Sequence, residues 1–169
     1  MSVLDVGPVA STRRNHGIEH ATIRVLAEQY PNVSMAGRSD WGGFYLLGDI
    51  PTDAIGPAVE EAMRRVRAGQ RDLVVHPNCG TNLVVTGLLA GVASFTAAAG
   101  PRDERMLDKL PRMVLASTVA ILVAQPLGPK VQEKVTTSAD FDGAYLKSVK
   151  QRRQGRVPVH RVEIGSGPH

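Results

Sequence analysis

The sequence predicts an α+β protein: a small cytoplasmic α/β layer of helix, β-hairpin, helix and strand, attached to a two-helix transmembrane hairpin. Three observations predict it. Residues 81–100 and 113–129 carry no Asp, Glu, Lys or Arg. Ahead of them, apolar residues recur at helical spacing in two segments. Between those segments lie two short β-prone runs separated by a turn. The expected organisation is therefore a soluble α/β part over residues 1–80, a transmembrane hairpin over 81–129, and a soluble C-terminal segment over 130–169.

Residues 1–12 read as a flexible lead. From His16 to Tyr30, Ile18, Ile23, Val25 and Leu26 fall in a helical pattern, with Asn15 as the expected N-cap and Pro31 as the stop. Residues 33–37 and 44–48 read as strands around a Ser39–Gly43 turn. A second helix is expected from Thr52–Asp53, with Ile55, Val59, Ala62, Met63 and Val66 on one face. Pro57 lies early enough in it to be tolerated, and Gly69 follows as the C′ residue. Leu73–His76 reads as a short buried strand. Residues 144–149 and 157–164 are expected to pair as a final hairpin around Arg153-Gln154-Gly155, with frayed residues after Ile164.

The first uncharged run, twenty residues from Thr81 to Gly100, is long enough as a helix to cross about 30 Å of hydrocarbon. The second, Met113 to Pro129, is near the lower limit for a span and is bracketed by Arg112 and Lys130, which can snorkel. Gly87 and Gly91 form a G-x-x-x-G step, and Ala116, Ala120 and Ala124 repeat every four residues. Such small-residue faces let membrane helices approach closely, in the hairpin or against a partner. The flanks outside the hairpin carry more Lys and Arg than the 101–112 connection, so both termini are expected in the cytoplasm. The rival reading is a soluble helix pair buried in a core.

The formal charge of +4 fits an anionic membrane surface. No nucleic-acid-binding motif accompanies it, and there are only seven aromatic residues, so nucleic acid is not an expected partner. The N-terminal residues lack the pattern of a signal peptide, so insertion is expected to use internal segments. With Cys79 as the single cysteine, no intramolecular disulfide can form.

His16-Gly17-Ile18-Glu19-His20 is the sharpest local signal. Residues at i and i+4 share a helix face, so the two imidazoles can grip one ion. His76-Pro77-Asn78-Cys79 offers two further ligands in a compact turn, and imidazole with thiolate suits zinc. Three of the five histidines and the only cysteine thus fall in two short motifs; His160 and His169 stand apart from both. Three ligands with an open position would make a catalytic site, with Glu19 as general base. All four of His16, His20, His76 and Cys79 would close a structural one. Asp40, Asp49 and the Trp41–Phe44 hairpin tip are weaker candidates for flanking the site, and residues 136–140 read as a helix start or a turn, without chemistry.

These motifs resemble a bacterial family of small two-span membrane proteins of unknown function, which has an HGxEH helix and an HPNCGTN motif. The positions carrying the resemblance are His16, Gly17, Glu19 and His20, then His76, Cys79, Gly80 and Thr81, and the likeness runs over most of residues 13–165. It implies two membrane spans and a metal site. The H-x-x-E-H order is also similar to that of inverzincin metallopeptidases, over five residues and with no downstream glutamate ligand. Two functions follow as expectations. One is a membrane-associated zinc hydrolase or peptidase, with Glu19 as base. The other is a non-catalytic, zinc-stabilised assembly factor or subunit of a membrane complex.

Overall fold

The computed structural model describes residues 3–99, 104–154 and 157–167. The chain divides into two units, Met1–His76 with Glu133–His169, and Pro77–Gln132.

The first unit holds a long helix α1 (Gly7–Gln29), strands β1 (Ala36–Asp40) and β2 (Gly43–Leu47), helix α2 (Thr52–Arg67) and strands β3 (Ala144–Gln154) and β4 (Val157–Ser166). The four strands make one antiparallel sheet in the order β1-β2-β4-β3, so the C-terminal strands complete the sheet that the first hairpin begins. Phe44 faces Val162 and Leu46 faces His160 across the β2–β4 ladder. With the period-2 alternation of a strand, these four side chains share one face, and all four are fully buried. Ile18, Leu26, Ile55 and Val59 of α1 and α2 join them in the core. Each such side chain contributes about 1.5–3 kcal/mol by leaving water.

The expected α2 is present, with Ile55, Val59, Ala62, Met63 and Val66 buried and Gly69 at φ +107° just past its end. Helix α1 ends at the residue before Tyr30 and Pro31 but starts nine residues ahead of the expected point. The supposed flexible lead is largely helix: Pro8 occupies the first turn, where its missing N–H costs nothing. Asn15 is consequently not a cap. It lies fully buried inside the helix, and its Nδ2 donates to Asp40 O at 2.8 Å. The strands are also displaced by up to three residues from the expected positions. Asp40 pairs with Gly43 around the two-residue turn Trp41–Gly42. Gly43 sits at φ +146°, and a Cβ there would collide with Val162 O, so the turn ends on the one residue that fits.

The expected strand at 73–76 is instead a 3₁₀ turn over Arg71–Val74. Leu73 and Val74 are both buried, and Val74 O is taken by a histidine side chain at 2.7 Å rather than by a neighbouring strand. Strands β3 and β4 pair as the expected final hairpin and are longer than expected; residues 155–156, which include Gly155 of the expected turn, and residues 168–169 lie outside the described residues.

The second unit is two helices, α3 (Gly80–Ala98) and α4 (Met106–Val131), both long and apolar enough to cross a membrane by length and composition. Residues 100–103 of the connection are outside the described residues. No residue of α3 is buried. Leu83 is 76% exposed and Phe95 80%, and Leu88 and Val92 are exposed as well. On α4 the alanine repeat lies on the covered side, ending in the buried Ala124, and Ser117 Oγ donates to Ala90 O of α3 at 3.3 Å. The glycine step behaves differently from expectation. A Cβ at Gly87 or Gly91 would meet nothing within 4 Å, so this step does not serve the α3–α4 contact. Nearer the start of α3, Asn82 Nδ2 donates to Pro77 O at 2.7 Å, and Gln132 Nε2 donates to Asn82 Oδ1 at 2.6 Å. At the opposite end, Arg112 forks onto Glu104 at 2.6 and 3.0 Å and donates to Ala97 O, satisfying a carbonyl at the end of α3.

Candidate metal centre

Helix α1 is buried on nearly every side between Asn15 and Leu26, and its two histidines lie one turn apart on one face. Their ring centroids are 4.3 Å apart, and a ring nitrogen of each lies within 4.8 Å of the other. His76 follows the 3₁₀ turn and puts its ring centroid 5.7 Å from that of His20. The three imidazoles expected to bind metal are therefore neighbours within the first unit. Cys79 belongs to the second unit, where it is the N-cap of α3; its Sγ accepts the Thr81 N–H at 3.4 Å.

Both α1 histidines are held through the same ring atom. His20 Nδ1 lies 2.7 Å from Val74 O, and His16 Nδ1 lies 3.0 Å from Thr136 O. A carbonyl only accepts, so Nδ1 carries the proton in each ring. In the neutral imidazole this leaves the lone pair on Nε2, the form that ligates metal. Metal-binding histidines in general have the other nitrogen tied in this way, which fixes tautomer and ring orientation.

Glu19 points elsewhere. It precedes His20 by one residue, about 100° around the helix. It is 3% exposed, accepts a hydrogen bond from Ser39 Oγ, and fills the space over Gly37 of β1. Asp40 is committed to a forked pair with Arg161 at 2.7 and 2.9 Å. Asp49 is exposed, and Trp41, 71% exposed, projects from the hairpin tip. His160, set apart in the sequence, is fully buried on β4 and is no member of the cluster; burial pushes its pKa below the usual imidazole value.

The segment read as a chemically silent turn carries part of the site. A π-helical turn over Gln132–Thr136 follows α4, and Thr136 supplies the carbonyl that holds His16. Ser138 N donates to Arg13 O at 3.1 Å, and Ser138 O lies so close to α1 that a Cβ on Gly17 would collide with it. Gly17 is thus the residue that lets this segment cross α1 beside the histidines. A Gly17→Ala variant tests the approach. Inside a helix alanine gains up to about 1 kcal/mol over glycine, whereas overpacking against backbone costs roughly 1–3 kcal/mol. Thermal unfolding in detergent is expected to show a lower Tm for the variant; a raised Tm would mean that the segment is not seated there.

Arg13, one turn before His16, was not legible as part of the site. Its spacing from His16 is the one signal available, since i and i+3 share a helix face.

Residues 11–149 match a family described as Domain of unknown function (DUF6391). An uncharacterised protein of Picosynechococcus sp. (strain ATCC 27264 / PCC 7002 / PR-6) is 35% identical over 162 residues, covering 90% of this chain and 78% of that protein. No solved structure matches the chain.

Proposed function

The chain belongs to the Domain of unknown function (DUF6391) family, and we propose that it is a two-span protein of the cell membrane with a non-catalytic zinc site. His16, His20 and His76 supply imidazole, and Cys79 supplies thiolate as the fourth ligand, closing a tetrahedral site of structural type. Cys79 is three residues from His76, so a ligand on His76 is within the reach of its sulfur for a short turn. With such a site the protein serves as an assembly factor or subunit of a membrane complex.

The observation that carries this reading is the pair of Nδ1 contacts to Val74 O and Thr136 O. Two histidines locked in the same tautomer on one helix face are built to present Nε2 to one ion. The membrane assignment rests on α3 and α4. Water-soluble monomers rarely expose apolar patches beyond a few hundred Å², and here Leu83, Leu88, Val92 and Phe95 are joined by Val114, Leu115 and Leu122 of α4, all more than half exposed. Lipid accounts for such a surface. Flanking basic residues favour cytoplasmic termini. The open Gly87–Gly91 face supports a second copy or a partner span as its occupant.

The hydrolase reading draws on the H-x-x-E-H order. Glu19→Gln separates the two. As a general base on metal-bound water, Glu19 would be dispensable for zinc but its loss would lower turnover by about 10²–10⁴-fold. Engaged by Ser39, it is a packing residue, and Glu19→Gln is expected to keep zinc and support normal growth in a deletion strain. A stable, zinc-replete variant that fails to complement would establish the hydrolase reading instead.

A further inference from the structure

The carbonyls of residues 134–137 are divided between two side chains of α1. Arg13 Nε donates to Val135 O at 2.7 Å, and Nη2 donates to Lys134 O at 3.1 Å and to Thr137 O at 3.2 Å. The fourth carbonyl, Thr136 O, faces His16 Nδ1. Arg13 Nη1 in turn reaches Leu4 O at 3.0 Å and Asp5 Oδ1 at 3.2 Å. A guanidinium has five N–H donors in a fixed fork, and these five contacts match them one for one. The side chain is only 15% exposed, so its partners are set by the fold rather than shared with bulk water.

We propose that Arg13 is a positioning residue for the metal site: by clamping the carbonyls on both sides of Thr136, it directs the Thr136 carbonyl at His16 and so sets His16 Nε2 as a ligand. The inference rests on the zinc reading above but concerns a different atom set. Without the clamp, the Thr136 carbonyl loses the bonds on both sides that fix its direction, and the His16 imidazole can take either tautomer. The ligand then has to be reoriented at each binding event, which weakens the metal site without removing any ligand. Loss of such an orienting partner typically lowers metal affinity by about 10–100-fold. Lysine does not replace the fork, because its ammonium is a point donor with three protons and no planar geometry.

The experiment uses full-length protein in detergent and compares wild type, Arg13→Lys, Arg13→Gln and Arg161→Ala. The last breaks the forked pair with Asp40 and serves as a stability control remote from the histidines. Zinc affinity is read by competition with a chromophoric chelator. The His16 tautomer is read in the zinc-free protein from imidazole ¹⁵N shifts, with His16→Gln for assignment. Wild type is expected to show Nδ1–H at His16. Both Arg13 variants are expected to lose about 10–100-fold in zinc affinity and to show mixed tautomers, while Arg161→Ala changes neither. Arg13 variants that keep the wild-type tautomer and bind zinc within about twofold of wild type would overturn the inference and leave the metal reading standing. A wild type that binds no zinc would overturn the metal reading, whatever the tautomer does. Should both Arg13 variants fail to fold, the zinc-free wild type decides: a His16 ring that does not carry its proton on Nδ1 overturns the inference.

Discussion

Leu88→Asp combined with Val92→Asp is expected to remove the protein from the membrane fraction or abolish its accumulation. Wild type is expected to stay in the pellet after alkaline carbonate extraction. At the centre of a membrane helix an aspartate costs about 2.5–3.5 kcal/mol, while the leucine or valine it replaces favours insertion by a few tenths. Two substitutions together oppose insertion by roughly 6 kcal/mol or more on that scale, enough to reverse the partition of a helix as small-residue-rich as α3. The same change reads in the opposite direction for a soluble protein. Leu88 is 65% exposed and Val92 56%, so if α3 faced water, two added charges would be harmless and would improve solubility. A double variant that stays in the pellet like wild type, or a wild type recovered without detergent as a soluble monomer, would contradict the two-span reading.

A His16→Ala/His20→Ala double variant is expected to purify without zinc, against about one zinc per chain in wild type. Structural zinc contributes on the order of 10–16 kcal/mol of apparent binding free energy at neutral pH in small zinc domains, far more than any single contact in the core. Removing two of four ligands eliminates nearly all of it. The fold is expected to survive, because the sheet and the α1–α2 core are built from Phe44, Leu46, Ile55, Val59 and Val162 rather than from the histidines. His20 is itself buried at 3% exposure, so the variant also leaves Val74 O without its side-chain donor, at about 1–3 kcal/mol. Compared as zinc-free proteins, the variant therefore has a moderately lower Tm than wild type. Cys79→Ser gives the complementary contrast. It severely weakens a closed site and only mildly disturbs an open three-histidine one. Zinc content by elemental analysis of the three proteins, purified without chelator, decides between them. Full occupancy in the double histidine variant would show that these residues are not ligands.

The two long apolar helices were legible because absence of charge over membrane length needs no tertiary information. Helix α2 and its buried face were legible for a similar reason: a single 3.6-residue period with a glycine stop is a local signal. Helix α1 was harder. It is buried on most sides, so Asn15, Glu19, His20 and Thr22 sit inside among apolar neighbours, and the polar/apolar contrast that marks a surface helix is missing along it. Its first two turns were lost because Pro8 and Gly7 read as loop residues, although proline suits a first helical turn. The Leu73–His76 run has strand composition, yet its backbone is drawn off by His20, a contact 54 residues distant in sequence. The candidate site divides along the same line. His16, His20 and His76 were visible as ligand types at ligand spacing; the ring of His20 lies 4.3 Å from that of His16 and 5.7 Å from that of His76. The carbonyls that orient the α1 pair come from elsewhere in the chain: Val74 O, 54 residues from His20, and Thr136 O, 120 residues from His16 and flanked by the two carbonyls that Arg13 holds. Backbone acceptors leave no trace in side-chain composition. Glu19 looked catalytic by its place in a five-residue pattern; its Ser39 and Gly37 partners on β1 are invisible to such a pattern.

The most direct test of the central claim is X-ray absorption at the zinc edge on full-length protein loaded with one equivalent of zinc in detergent. The predicted first shell is three imidazole nitrogens at about 2.0–2.1 Å and one sulfur at about 2.3 Å, with the sulfur lost in Cys79→Ser. A shell of oxygen scatterers without imidazole, or no specifically bound zinc at all, would contradict it.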